Sequence, residues 1–258
     1  MCNFFSFVTN PVDNPGWYYY FDWQYRKANL DDEGVDSHSH ICAHFNLDED
    51  RCNKYEFNPL TNKFEIDMIN SERNDSEAAE KWVKRLDFKT VVEPLIVKPI
   101  VNPLELPKVE QVTDEQIGWL KDWSSVKNSV WNSVRASVRA SVRASVGASV
   151  WNSVGDSVWD SVWASVWASV RNLVGASVWD SVGASVWDLV WASVWASVRA
   201  SVWAYVSAFF AIDYEHDFSS AVKLWEAGLV PSFDGRTWRL HSGTKADVAY
   251  EWTPEVQE

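Results

Sequence analysis

From Ser125 to Ala208 the chain reads as 21 consecutive tetrapeptides of the form Ser-Val-x-y, without an insertion. Val holds the second place in all 21, from Val126 to Val206, and Ser holds the first in 18, with Leu173, Leu189 and Tyr205 as exceptions. The third place is Trp in ten, Arg or Lys in six, Gly in four and Ser in one; the fourth is Ala, Asn or Asp. A period this short and strict marks a repeat architecture and restricts the fold more than any other feature of the chain.

Four residues on an α-helix turn through about 400°, so each repeat drifts about 40° from the one before. The Val column would circle a single long helix in about nine repeats and could not stay on one buried face. A right-handed supercoil absorbs periods slightly above 3.6, but 4.0 is a large mismatch. Composition points the same way: Val, Ser and Trp dominate, and Gly147, Gly155, Gly175 and Gly183 interrupt the block. The propensity penalty against an alanine helix exceeds roughly 20 kcal/mol.

A strand has period two, which divides four, so its register never drifts. Val and the fourth residue then share one face, with Ser and the Trp/Arg/Gly position on the other. One tetrapeptide suits one side of a β-solenoid coil, with backbone groups pairing rung on rung at about 4.8 Å. Three sides per coil and four are both compatible with the repeat. The unit Ala-Ser-Val-Trp also resembles that of the pentapeptide-repeat proteins, shortened by one residue.

The expected fold class is therefore mainly β: a β-solenoid of 21 tetrapeptide repeats with a small N-terminal α+β domain and an α+β C-terminal cap. A long helix or helical bundle for the repeat is the alternative. One feature resists the solenoid. Eight fourth positions are polar, namely Asn128, Asn132, Asn152, Asp156, Asp160, Asn172, Asp180 and Asp188. Buried carboxylates are costly unless paired, so the solenoid must place these residues at its corners.

Around the repeat, residues 1–88 read as a small α+β domain. Asn3–Thr9 and Trp17–Trp23 are aromatic strands either side of a turn-rich Asn10–Gly16. A short helix capped by Asp36 or Ser37 follows. Lys54–Phe57 and Lys63–Ile69 form a second hairpin, and a helix opens at Asp75 with acidic residues first and basic residues last. Residues 89–112, broken by Pro94, Pro99, Pro103 and Pro107, read as an extended connector. Thr113-Asp-Glu-Gln116 is a capping box, which starts a helix over 113–124 that would lid the first coil. After the solenoid at 125–208, residues 209–258 read as a cap: a helix over Phe218–Ala227 ended by Gly228, then a hairpin of Thr237–His241 and Ala246–Trp252.

The segments Leu224-Trp225, Gly228–Gly235 (GLVPSFDG) and Trp238–His241 (WRLH) resemble the C-terminal region of uncharacterised bacteriophage and gut-bacterial proteins, where they likewise follow tetrapeptide repeats. Met1–Val8 and Asp36-Ser-His38 resemble the start of such proteins. The resemblance implies an origin in phages or mobile elements and brings no activity, ligand or catalytic residue with it.

The net charge is −13, with −10 in residues 1–124, +2 in the repeat and −5 from Phe209 onward. The repeat is thus the least acidic part, which argues against mimicry of duplex DNA. Three cysteines without framework spacing point to a reducing compartment. Neither a signal-peptide pattern nor an apolar run of 18 occurs, so a cytoplasmic protein of a bacterial host cell, without membrane contact, is expected.

Two constellations bear on enzyme chemistry. His38, His40, Cys42 and His44 alternate, and imidazole with thiolate suits zinc; on a helix only His40 and His44 stack, and the spacing matches no known zinc module. Cys2 would become a terminal nucleophile on loss of Met1, but nothing nearby supplies an oxyanion hole. The expectation is a non-enzymatic protein without a cofactor.

The functional candidate is the Trp/Arg array: Trp131, Arg135, Arg139, Arg143, Trp151, Trp159, Trp163, Trp167, Arg171, Trp179, Trp187, Trp191, Trp195, Arg199 and Trp203. If exposed, it is too apolar for an ordinary monomer surface and rich in the residues of binding hot spots. Three uses stay open. It could bind a protein partner or a second copy of the chain, as in an inhibitor of a host nucleic-acid enzyme or defence protein. It could stack on single-stranded nucleic acid, which the net charge disfavours. Or it could pack along the repeat as a structural element.

Overall fold

The computed structural model describes residues 4–29, 34–92, 95–126, 150–174, 176–211 and 216–254, and not the side chains of 23, 26, 27, 152 and 169–189. The described residues group into two compact units, one within 4–99 together with 209–211, the other from 100–126, 150–208 and 216–254.

In the first unit the strands are β1 (Phe5–Thr9), β2 (Tyr18–Tyr19), β3 (Asn53–Asn58) and β4 (Lys63–Met68), joined in one antiparallel sheet of order β2-β1-β3-β4. β1 is buried along its whole length, so both faces of the sheet are covered. On one face Phe5, Phe7, Tyr55 and Phe57 meet Trp82 and Phe88, supplied by α3 (Ser76–Val83) and α4 (Phe88–Val91). On the other, Val8 packs with Phe21, Ile41, Cys42 and Cys52, the central pair coming from α2 (His38–His44).

Local chemistry explains the ends of these elements. Ser37 caps α2 by accepting the His40 amide. Asn58 accepts the amides of Leu60 and Thr61, and Asn62 takes a φ of 55°, closing the β3–β4 hairpin. The strand expected over Trp17–Trp23 shrinks to Tyr18–Tyr19. Asp22 Oδ1 accepts the Tyr25 amide at 2.7 Å and so starts α1 (Trp23–Ala28) instead. One oxygen of Asp75 accepts from Thr9, Asn53 and Tyr55, which ties β1 and β3 to the entry of α3.

The second unit overturns the fold expected from the repeat. The described residues are mixed α/β, with two small antiparallel sheets and long helices in the repeat, so the fold is neither mainly β nor a solenoid. The described repeat residues form a π-turn at Trp151–Gly155, α6 (Asp156–Val174) and α7 (Ala176–Ser207). Trp159 lies against Trp191 and Trp195, and Trp151 against Trp195, at ring distances of 5.6 to 6.1 Å. A straight helix would separate those pairs by about 50 to 65 Å, so the chain folds back and α6 and α7 pack antiparallel.

Folding back solves the drift problem. Over Val158, Val162 and Val166 the Val column turns only about 80°, and over Val194, Val198, Val202 and Val206 about 120°, close to the width of one apolar stripe. All seven are buried to 1% exposure or less. The wider i→i+5 turn at Trp151–Gly155 rotates less per residue. It keeps Val150 and Val154 on the buried side too.

The same geometry places the other columns. Neighbours on a helix are about 100° apart, so Ser and the third residue flank Val while the fourth points away. Asp156, Asp160, Ala164, Ala168, Ala192 and Ala196 are indeed exposed, whereas Ala200 and Ala204, near the end of α7, are buried. The serines satisfy their hydroxyls locally: Ser157, Ser197, Ser201 and Ser207 each donate to the carbonyl three residues earlier.

The remaining elements pack on this pair. The capping box at Thr113 forms with both of its bonds and starts α5 (Asp114–Ser125), but with no coil to lid, α5 packs against α8 (Ser219–Glu226). The sheet β5-β6-β7 (Val230–Phe233, Trp238–Ser242, Asp247–Trp252) shares the core of Leu120, Leu224, Leu229 and Leu240. β5 runs along α7, where Ser197 Oγ accepts the Phe233 amide at 2.9 Å. Tyr205, an exception to the repeat, is 1% exposed. Its ring stacks on Trp225 at 4.9 Å and its hydroxyl accepts the Val101 amide at 2.8 Å.

Candidate binding surface

The Trp/Arg column lies on the flank of helices rather than on the face of a solenoid. Along α6, Trp159, Trp163 and Trp167 are one turn apart and their rings stack at 5.7 and 5.8 Å, tilted by 16° and 22°. Along α7, Trp191 and Trp195 meet at 6.1 Å and 68°, and the Arg199 guanidinium sits 4.6 Å from the Trp195 ring. Between the helices, Trp159 contacts Trp191 edge-on and Trp195 at 48°. Such offset and edge-to-face pairs are the ones the ring quadrupole favours.

The column is thus partly used inside the helix pair. Trp151, Trp159, Trp163, Trp167, Trp195 and Arg199 are half-buried, and Trp191 is 40% exposed. Trp203 differs, because its indole N–H is buried without a hydrogen-bond partner, which makes it a packing residue. Trp131, Arg135, Arg139 and Arg143 lie outside the described residues, as do the side chains of Arg171, Trp179 and Trp187. The structure therefore brings together six of the expected array, Trp151, Trp159, Trp163, Trp167, Trp191 and Trp195, with Arg199 at the edge.

The His/Cys constellation does not converge. On α2 both ring nitrogens of His38 are engaged, Nε2 with the Tyr55 carbonyl at 3.0 Å and Nδ1 with Asp67 at 3.3 Å. His44 packs on Phe21 and Tyr25, and His40 meets Phe21 edge-on. Cys42 points into the core, where its hydrogen bond to Cys52, followed by burial, pushes its thiol up. Among the described residues no group of three or more His, Cys, Asp or Glu side chains is placed to hold a metal. Cys2 lies outside the described residues.

Two polar features of the second unit have no signature in the sequence. Ser232 and His241 are fully buried, with Oγ and Nε2 2.7 Å apart. His241 Nδ1 is 2.9 Å from the Ala246 carbonyl, which only accepts, so Nδ1 carries the proton and Ser232 donates to Nε2. Burial, with a smaller contribution from Arg239, pushes the His241 pKa down to about 4. The pair has the form of an activated nucleophile, but both residues are fully buried and hydrogen-bonded in the core.

The second feature is a cavity of about 340 Å³ lined by Asp234, Arg236, Thr237, Arg239, Glu251, Trp252 and Thr253. Buried Arg239 donates through Nε to Glu251 at 2.7 Å and through Nη1 to Asp234. Burial raises the Asp234 carboxyl, yet hydrogen bonds from the Thr237 amide, Arg239 and the Arg236 amide outweigh it and hold the group below the usual range. The cluster is internally neutralised and fastens the Asp234 turn to β6 and β7.

No protein-family model matches this chain, nor does any curated protein or any solved structure. No described helix is long and apolar enough to cross a membrane.

Proposed function

We propose that the protein is a non-enzymatic repeat scaffold that associates with a protein partner or with itself through the Trp/Arg flank of its repeat helices. The observation that carries this reading is the division of labour within the tetrapeptide. Among the described residues Val lines the core of the helix pair, to 3% exposure or less at nine positions from Val150 to Val206, joined toward the end of α7 by Ala200, Ser201, Ala204 and Tyr205. Six Trp side chains stand beside it, half-buried or exposed, in one connected cluster. Large aromatic rings held in register at partial exposure are the composition of an interface core. Arg199 over Trp195 adds the cation–π element common there. The phage or mobile-element origin suggested by the flanking segments, and a place in the cytoplasm of a bacterial host, belong to the same reading.

The test is a comparison of proteins retained from a bacterial host lysate by the intact chain and by a Trp159→Ser/Trp163→Ser/Trp191→Ser variant, with far-ultraviolet dichroism showing the helices unchanged. Loss of the retained proteins, or of self-association, supports the reading. Identical retention and identical oligomeric state in both chains contradicts it.

A further inference from the structure

We propose that the occupant of the Trp flank is a second copy of this chain, its repeat helices packed on the first through the same tryptophans. This inference rests on the binding-surface reading above and names the partner. The chain itself shows what a repeat Trp flank accepts. Trp159 is covered by Trp191 and Trp195, and Trp195 by Trp151, in tilted or edge-to-face pairs at 5.6 to 6.1 Å. Each of these side chains holds the third place of a tetrapeptide, so the contact is repeat upon repeat.

The cluster also continues beyond that internal contact. From Trp159 the stack runs on through Trp163 and Trp167, and at its border Trp191 keeps 40% of its surface exposed. A second copy extends the established contact with the same chemistry. Four residues rise about 6 Å along a helix, so the turn-spaced Trp159, Trp163 and Trp167 of one copy meet the same spacing in another where the two align by whole repeats. A two-fold axis needs such a self-complementary patch, in which each residue meets its own counterpart's neighbour.

Charge selects the same surface. Two copies each carrying −13 repel, and the acid is concentrated outside the repeat, with −10 before it and −5 after it; the repeat residues 150–208 carry Arg171 and Arg199 against Asp156, Asp160, Asp180 and Asp188, a net −2. Contact between repeats is the approach that brings the least like charge together.

The experiment is sedimentation velocity on the full chain up to about 100 μM, a range that reveals dimers of micromolar affinity. It is repeated for Trp191→Ser and Trp163→Ser, with helicity checked by circular dichroism and tryptophan exposure by acrylamide quenching. The expected result is a weight-average mass rising toward twice the 29.5 kDa of the chain. Trp191→Ser should raise the dimer dissociation constant about thirtyfold or more, the loss typical of a hot-spot tryptophan. A dimer whose dissociation constant neither variant changes overturns the proposal. So does a wild-type chain that stays monomeric throughout. In that monomer, readily quenched tryptophans leave the binding-surface reading standing with a foreign partner, whereas protected ones remove both.

Discussion

Tyr205 stands at a repeat position where 18 of 21 tetrapeptides have Ser, so Tyr205→Ser makes the repeat more regular. Pattern alone predicts no harm from it; the structure predicts severe harm. The ring is 1% exposed and stacked on Trp225 at 4.9 Å. Removing a buried aromatic of this size costs about 3 to 5 kcal/mol, the stacking included. Its hydroxyl accepts the Val101 amide at 2.8 Å, and stranding that N–H adds about 1 kcal/mol or more. Helix propensity changes little between Tyr and Ser. The new hydroxyl satisfies itself on the carbonyl three residues back, as Ser201 and Ser207 do. The expected loss is about 4 to 6 kcal/mol, a large part of the stability of an ordinary domain. Urea unfolding followed at 222 nm measures it, with Tyr205→Phe as the companion that keeps the ring and loses about 1 to 2 kcal/mol. If Tyr205→Ser lies within about 1 kcal/mol of wild type, Tyr205 does not pin α7 to its surroundings and the packing described for the second unit is wrong.

The columns of the tetrapeptide give a paired test. Val198→Ala should cost about 2 to 3 kcal/mol by emptying a fully buried site, while Ala164→Lys, on the exposed column, should stay within about 0.5 kcal/mol; comparable effects in urea titrations would contradict the face assignment. His241 gives a pH signature. Its pKa falls from 6.5 to about 4 on folding, so the unfolded chain binds the proton more readily. The stabilisation is complete above pH 6.5 and is lost as pH drops toward 4, by at most about 3 kcal/mol. His241→Gln should flatten that limb of the stability–pH curve, and an unchanged limb would show that the imidazole is not held neutral in the core.

What could be read from the sequence was local. The cap at Asp36 or Ser37, the Thr113 capping box and the charge order of α3 each depend on residues within one turn of the chain, and each forms, the cap at Ser37. The repeat points to strands because its 40° drift is incompatible with one long helix. The chain avoids the drift by reversing and by a π-turn, features that depend on tertiary contacts. Packing of the Val columns then overrides a poor helix propensity. A pointer was present in the polar fourth positions, which a strand would have turned inward with Val. Asp156 and Asp160 are exposed opposite the Val column, where a helix with Val inside must put them. The Trp array was legible as a set of candidates, but its sharing between α6 and α7 was not. Ser232 and His241 come together across neighbouring strands and left no motif to find.

The central claim is that the described repeat residues are helical with Val as their main core column. Valine-selective ¹³C labelling of the full chain tests it most directly, through the Cα chemical shifts of Val158, Val162, Val166, Val194, Val198 and Val202. Helical displacement of all six from random-coil values is the predicted result. Displacement in the opposite sense, as in extended strands, would contradict the account.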